Sequence, residues 1–95
     1  MAESKSKTKG ISARDAVQSV REDFPGLFGR PVESVLGVER DEDSGWTVTV
    51  QVVELERVPR STDILGAYAV YLDPDGELIG YHRRRRYHRS QADED

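Results

Sequence analysis

Apolar residues recur at helical spacing near the start of the chain and at strand spacing after it. Ala13, Val17, Val20 and Phe24 fall at i, i+4, i+7 and i+11, one face of a helix. Arg14, Asp15, Gln18, Arg21 and Glu22 take the other side. Ser12 reads as the N-cap, with Asp15 as an acid in the first turn. Pro25-Gly26 predicts that the helix ends at Phe24, leaving Leu27 and Phe28 to plug the core from a short loop.

The period then changes to two. Residues 33–40 form a modest strand weakened by Gly37, followed by a polar turn at Asp41-Glu42-Asp43-Ser44-Gly45. Residues 46–56 are the strongest strand. Trp46, Val48, Val50 and Val52 alternate with Thr47, Thr49 and Gln51, while Val53 and Leu55 put apolar groups on both faces. Val58-Pro59 stops the ladder, and residues 60–63 form a loop. In the next strand, residues 64–73, Tyr68, Val70 and Leu72 share one face and Ala67, Ala69 and Tyr71 the other. Asp73-Pro74-Asp75-Gly76 is a hairpin turn, because proline presets φ and glycine accepts the left-handed position. Residues 77–88 are the last strand.

The predicted fold is α+β, an N-terminal helix packed on a four-stranded antiparallel meander. A regular hairpin sets Leu72 opposite Leu78, Tyr71 opposite Ile79 and Ala69 opposite Tyr81. In that register the helix covers the Tyr68 face, and Tyr81, Arg83 and Tyr87 lie together on the face left open. Residues 1–10 and 90–95 are polar and read as a disordered arm and a disordered acidic tail around a single domain, residues 11–89. A domain of about eighty residues buries only ~60–65% of its unfolded surface, so a protein partner could add to its stability.

Composition narrows the chemistry. The 95 residues include no cysteine, which removes disulfides, thiolate metal sites and thiol nucleophiles and fits a reducing cytoplasm. No apolar run approaches the ~18 residues of a membrane span, and no signal-peptide core is present. Net charge is −4 but uneven. Six arginines against fourteen acids leave residues 11–80 at −8, whereas five arginines put residues 81–89 at +5. One basic strand on an acidic body suits docking to acidic proteins, or weak head-to-tail homo-oligomer contact, better than wrapping nucleic acid.

Candidate chemistry is sparse. Glu54 and Glu56 could form a carboxylate pair for acid–base work, the basis of a small-hydrolase alternative, but a meander offers little cleft. Charge pairing of these acids with the arginines of residues 83–86 is the simpler reading. His82 and His88 sit six apart on one predicted face, roughly 20 Å, too far to share a metal. Arg83 to Arg86 with Tyr81 and Tyr87 could grip phosphates and stack on bases, which is the case for a nucleic-acid-binding regulator. Against it, alternation sends Arg83 and Arg86 to opposite faces, and the body is acidic. No glycine-rich phosphate loop follows a strand. No catalytic residue, cofactor or metal is assigned. Arg57 and Asp63 are expected to brace the corner around Pro59, with the arginine fork as the main tie. Glu54, Glu56, Arg57, Asp63, Tyr81, Arg83, Arg86 and Tyr87 make up the candidate partner-binding set.

Residues 46–88 carry a resemblance. Glu54-Leu55-Glu56-Arg57-Val58-Pro59, Asp63-Ile64-Leu65, Tyr68-Ala69-Val70-Tyr71-Leu72-Asp73, Gly76-Glu77-Leu78, Tyr81-His82-Arg83 and Arg86-Tyr87 resemble the gas vesicle protein O family, with the preceding helix in the expected place. The resemblance implies a cytoplasmic accessory protein of gas vesicle formation, distinct from the main shell protein. It further implies no enzyme activity, and other gas vesicle proteins as partners.

Overall fold

The computed structural model of the chain describes residues 10–90. Ser12 caps the helix α1 (Ala13–Phe28) in a capping box: its hydroxyl accepts from the Asp15 N–H, and the Asp15 carboxylate accepts from the Ser12 N–H. The helix does not stop at Phe24. Pro25 sits inside it, and one further turn follows. Proline costs the helix one N–H donor but its fixed φ is helical. Phe24 and Phe28, one turn apart, stack with ring centroids 5.0 Å apart. Gly29 closes the turn at φ 95°, a left-handed cap that glycine adopts without strain, and donates to the Pro25 carbonyl. Phe28 is therefore a helical residue packed against the core, and Leu27, expected in the core, is 59% exposed.

The strands are β1 (Ser34–Arg40), β2 (Trp46–Leu55), β3 (Ile64–Leu72) and β4 (Leu78–His88), in the antiparallel order β1-β2-β3-β4. Their ends match the sequence reading within a residue. A short 3₁₀ turn, Arg60–Thr62, links β2 to β3. Ala16, Val20 and Phe24 of α1 bury against Trp46, Val48, Val50 and Val52 of β2 and Tyr68, Val70 and Leu72 of β3. The buried helical row is the i, i+4, i+8 series beginning at Ala16. Ala13, expected on that face, is exposed. The helix thus covers the Tyr68 face, as the pattern implied. The expected arm and tail lie outside the described residues, except for Gly10 and Ser90.

Two bulges in β4 overturn the predicted side of several residues. Leu72 pairs with Leu78, but Tyr71 pairs with Gly80, so Ile79 is an extra residue. Val70 then pairs with Tyr81, which joins the helix-covered face with Tyr68 and Val70 instead of the open one. Farther along, Tyr68 pairs with Arg83 and Ala67 with Arg85, which makes Arg84 extra. The second slip cancels the first. Arg83 and Arg86 consequently share a face, while Tyr87, paired with Leu65, lies on the other face from Tyr81 and Arg83. His82 and His88 likewise end on opposite faces, through their partners Ala69 and Ile64. Each inserted residue inverts the alternation beyond it, and an edge strand absorbs such insertions because no second neighbour constrains it. β1 has its own irregularity between Val35 and Gly37, at Leu36.

Candidate functional site

Near the end of β2, a register shift between Val53 and Leu55 marks the position of Glu54. The Glu54 side chain, 9% exposed, accepts from the Tyr68 hydroxyl at 2.7 Å and from Arg83 Nη1 at 3.1 Å, and forms an ion pair with Arg86 Nε at 3.0 Å. Its path across β3 passes over Gly66, where a Cβ would collide with the carboxylate and with the Tyr68 ring. The Tyr68 phenol is pushed up by burial and then by Glu54; Glu54 likewise holds the Arg83 guanidinium more firmly protonated. Beside this group, Phe24, Phe28, Tyr68 and Tyr81 form a four-ring cluster. Phe24 meets Tyr81 edge-on at 5.1 Å, and Phe28 meets Tyr68 edge-on at 4.8 Å, arrangements that the ring quadrupoles favour. Tyr81 is 38% exposed, an aromatic that belongs partly to the core and partly to the surface.

The corner after β2 is organised around Asp63, which is 2% exposed. Its Oδ1 accepts the backbone N–H of Arg57 at 2.8 Å, and its Oδ2 accepts Nε and Nη2 of Arg89 at 3.2 and 3.0 Å. Arg89 also forks onto Glu33, with Nη1 at 2.6 Å and Nη2 at 3.1 Å. Its backbone N–H donates to the Asp63 carbonyl. The Arg57 hydrogen bond, supported by Arg89 and opposed by burial, draws the Asp63 carboxyl below its ordinary value. Glu33, and after it Asp63, raise the Arg89 guanidinium against the effect of burial. The expected brace is therefore reversed. The carboxylate is the hub, Arg57 contributes its main chain, and the guanidinium comes from Arg89. Neither Arg89 nor Glu33 was singled out from sequence. The usable signal was topological: in a meander the start of β3 adjoins the end of β4, so an acid buried at residue 63 calls for a cation near residue 88.

The face away from the helix carries a smaller cluster of Leu65, Ala67 and Tyr87, with Val53 against it. The Tyr87 hydroxyl donates to Gln51 Oε1, the Arg85 guanidinium lies 4.6 Å over the Tyr87 ring, and burial pushes the Tyr87 phenol up. The Tyr71 hydroxyl and His82 Nδ1 are 2.9 Å apart. A shallow hollow of about 400 Å³ opens here between Leu36, Ala67 and the arginines 84 and 85.

The candidate residues thus divide among three places. Glu54, Arg83 and Arg86 form one ionic group on the helix side, with Tyr81 beside it. Asp63 and the main chain of Arg57 form the corner, where Glu56 and the Arg57 side chain are exposed. Tyr87 is on the opposite face. Glu54 is not paired with Glu56 as an acid–base couple; its oxygens are engaged by Tyr68, Arg83 and Arg86. Among the described residues, no group of His, Cys, Asp and Glu is placed to hold a metal ion. No helix among them is long and apolar enough to cross a membrane.

Comparison with known proteins agrees with the motifs. The family model described as gas vesicle synthesis protein GvpO matches residues 1–93. Gas vesicle protein O of a Streptomyces species (strain CB03234) is 52% identical over 67 residues, 70% of this chain and 52% of the relative. Gas vesicle protein O of Haloferax mediterranei is 33% identical over 85 residues, 90% of this chain and 61% of the relative. Gas vesicle protein O1 of Halobacterium salinarum is 35% identical over 81 residues, 85% of this chain and 67% of the relative. The chain therefore spans about half to two thirds of the length of these relatives. No solved structure matches it. With the family model aligned from residue 1 to residue 93, the chain belongs to the gas vesicle synthesis protein GvpO family.

Proposed function

We propose that this chain is a non-enzymatic accessory factor of gas vesicle formation, cytoplasmic and associated with the vesicle as it assembles, that works by binding other gas vesicle proteins. The observation that carries the reading is the family match over nearly the whole chain. The geometry supports a binding role. Tyr81, Arg83 and Arg86 are held in place by the ring cluster and by Glu54 yet remain partly exposed, so a partner would meet side chains whose ordering cost is already met. The neighbouring corner presents Glu56, Arg57 and a Val58 that is 98% exposed. Contact through this corner and β4 fits a charged protein surface. It fits duplex DNA less well, because Arg83 and Arg86 both already face a carboxylate.

The test is genetic and biochemical together. In cells that make vesicles, removing this chain should reduce vesicle number or distort vesicle shape by electron microscopy, and wild-type chain should restore them. The corner variant Glu56→Lys with Arg57→Glu should keep the wild-type melting curve but fail to restore vesicles. It should also fail to retain gas vesicle proteins in a pull-down against each product of the vesicle gene cluster. Normal vesicles without the chain would sink the proposal, and tight duplex binding at physiological salt would replace it with gene regulation.

A further inference from the structure

The sheet face away from α1 holds a hollow that the ties of the corner and the Glu54 group do not use. Its floor is Ala67 of β3 with Thr49 and Gln51 of β2. Both edge strands are irregular at this level. Leu36, at the slip in β1, is 51% exposed on one rim. Arg84, the extra residue of the second β4 bulge, lies on the other rim beside Arg85. In a regular strand, neighbours 84 and 85 would point to opposite faces; the bulge brings both to one hollow. Bulges re-aim side chains, and here the two edges aim one apolar and two cationic groups at the same space.

We propose that this hollow is a docking site for an acidic, apolar segment of another gas vesicle protein, one or two large aliphatic side chains flanked by carboxylates. The inference rests on the gas vesicle reading for the identity of the partner, not for the chemistry of the surface. Charge complementarity decides the occupant. Among the described residues, Arg84 and Arg85 carry no carboxylate partner, in contrast to Arg83, Arg86 and Arg89, so they offer two guanidinium groups to an incoming anion. The apolar element comes from Leu36 and Ala67. Nucleic acid suits the site poorly: the Tyr87 ring that lines it is buried, with Arg85 over one face and its hydroxyl held by Gln51, so it offers a base little to stack on.

The test uses the whole chain, labelled with ¹⁵N, and end-capped hexapeptides as probes. The peptide Glu-Glu-Leu-Leu-Glu-Glu should move the amides of Leu36, Thr49, Gln51, Ala67 and Tyr87. Replacing its glutamates by lysines should abolish the effect, and replacing its leucines by serines should weaken binding about tenfold. Arg84→Glu with Arg85→Glu should remove binding, while Arg14→Glu with Arg21→Glu, an equal charge change on the exposed side of α1, should not. Amide shifts centred elsewhere, no shifts with the acidic peptide, equal binding of the lysine peptide, or a preference for single-stranded RNA would each overturn the proposal. If cells lacking the chain still make normal vesicles, the gas vesicle reading fails while the peptide result still decides the surface.

Discussion

Asp63 shows how one carboxylate can define a corner. It is buried, it accepts from the main chain of the segment leaving β2, and it shares Arg89 with Glu33. Its folded-state pKa lies below the ordinary 3.8. Such a group adds stability that is fully present above its unfolded pKa and is lost as pH falls through the folded value. Asp63→Asn should therefore lower the thermal midpoint most at neutral pH. The gap to wild type should narrow as pH drops below 3.8, and thermal melts across that range would show it. A gap independent of pH would mean the substitution acts through shape instead of charge. Asp63 was visible in the sequence as the acid after a proline corner. Its partner was not, because residues 63 and 89 meet only once the meander is closed.

At the scale of elements, the alternation of apolar residues was enough to place one helix, four strands and the face the helix covers. Phe24 illustrates why. It is fully buried between α1 and the sheet and touches Phe28, Tyr68 and Tyr81. Phe24→Ala should cost ~3–5 kcal/mol by urea denaturation, since it removes buried area and leaves a cavity. Leu27→Ala, three residues on but exposed, should stay within ~0.5 kcal/mol. Comparable losses at both positions would place Leu27 in the core after all. What the pattern could not reveal is the pair of slips in β4. Ile79 and Arg84 look like ordinary strand residues, and a bulge is decided by the balance of contacts across the sheet, not by the identity of the extra residue. Period two was therefore right for β3 and for β2 as far as Val53, where both strands are held by two neighbours, and wrong at Glu54 and in the middle of the edge strand.

For the whole molecule, charge and packing occupy different places. The core between α1 and the sheet is apolar, apart from the Tyr68 phenol and the buried indole N–H of Trp46, and the ionic groups stand around its margins. Raising ionic strength to about 0.5 M shortens the screening length well below the ~10 Å found at 0.1 M. The thermal midpoint should move little, while capture of gas vesicle proteins should fall steeply. Salt-insensitive capture would point to an apolar contact through Leu55, Val58 and Ile79 in place of the arginines. Family membership was legible because the motifs of residues 46–88 are contiguous in sequence. Which side chains share a surface was not, because that depends on the parity of each strand.

Between the two slips of β4, residues 80–83 form a short reversible cassette whose sides are set by where the extra residues fall. Sliding the second bulge one position, from Arg84 to Arg83, would exchange which of these neighbours pairs with Tyr68 on the helix-covered face and leave both strand ends in register. The position of one extra residue thus decides which arginine of this strand the helix-covered face presents, with no change of amino acid.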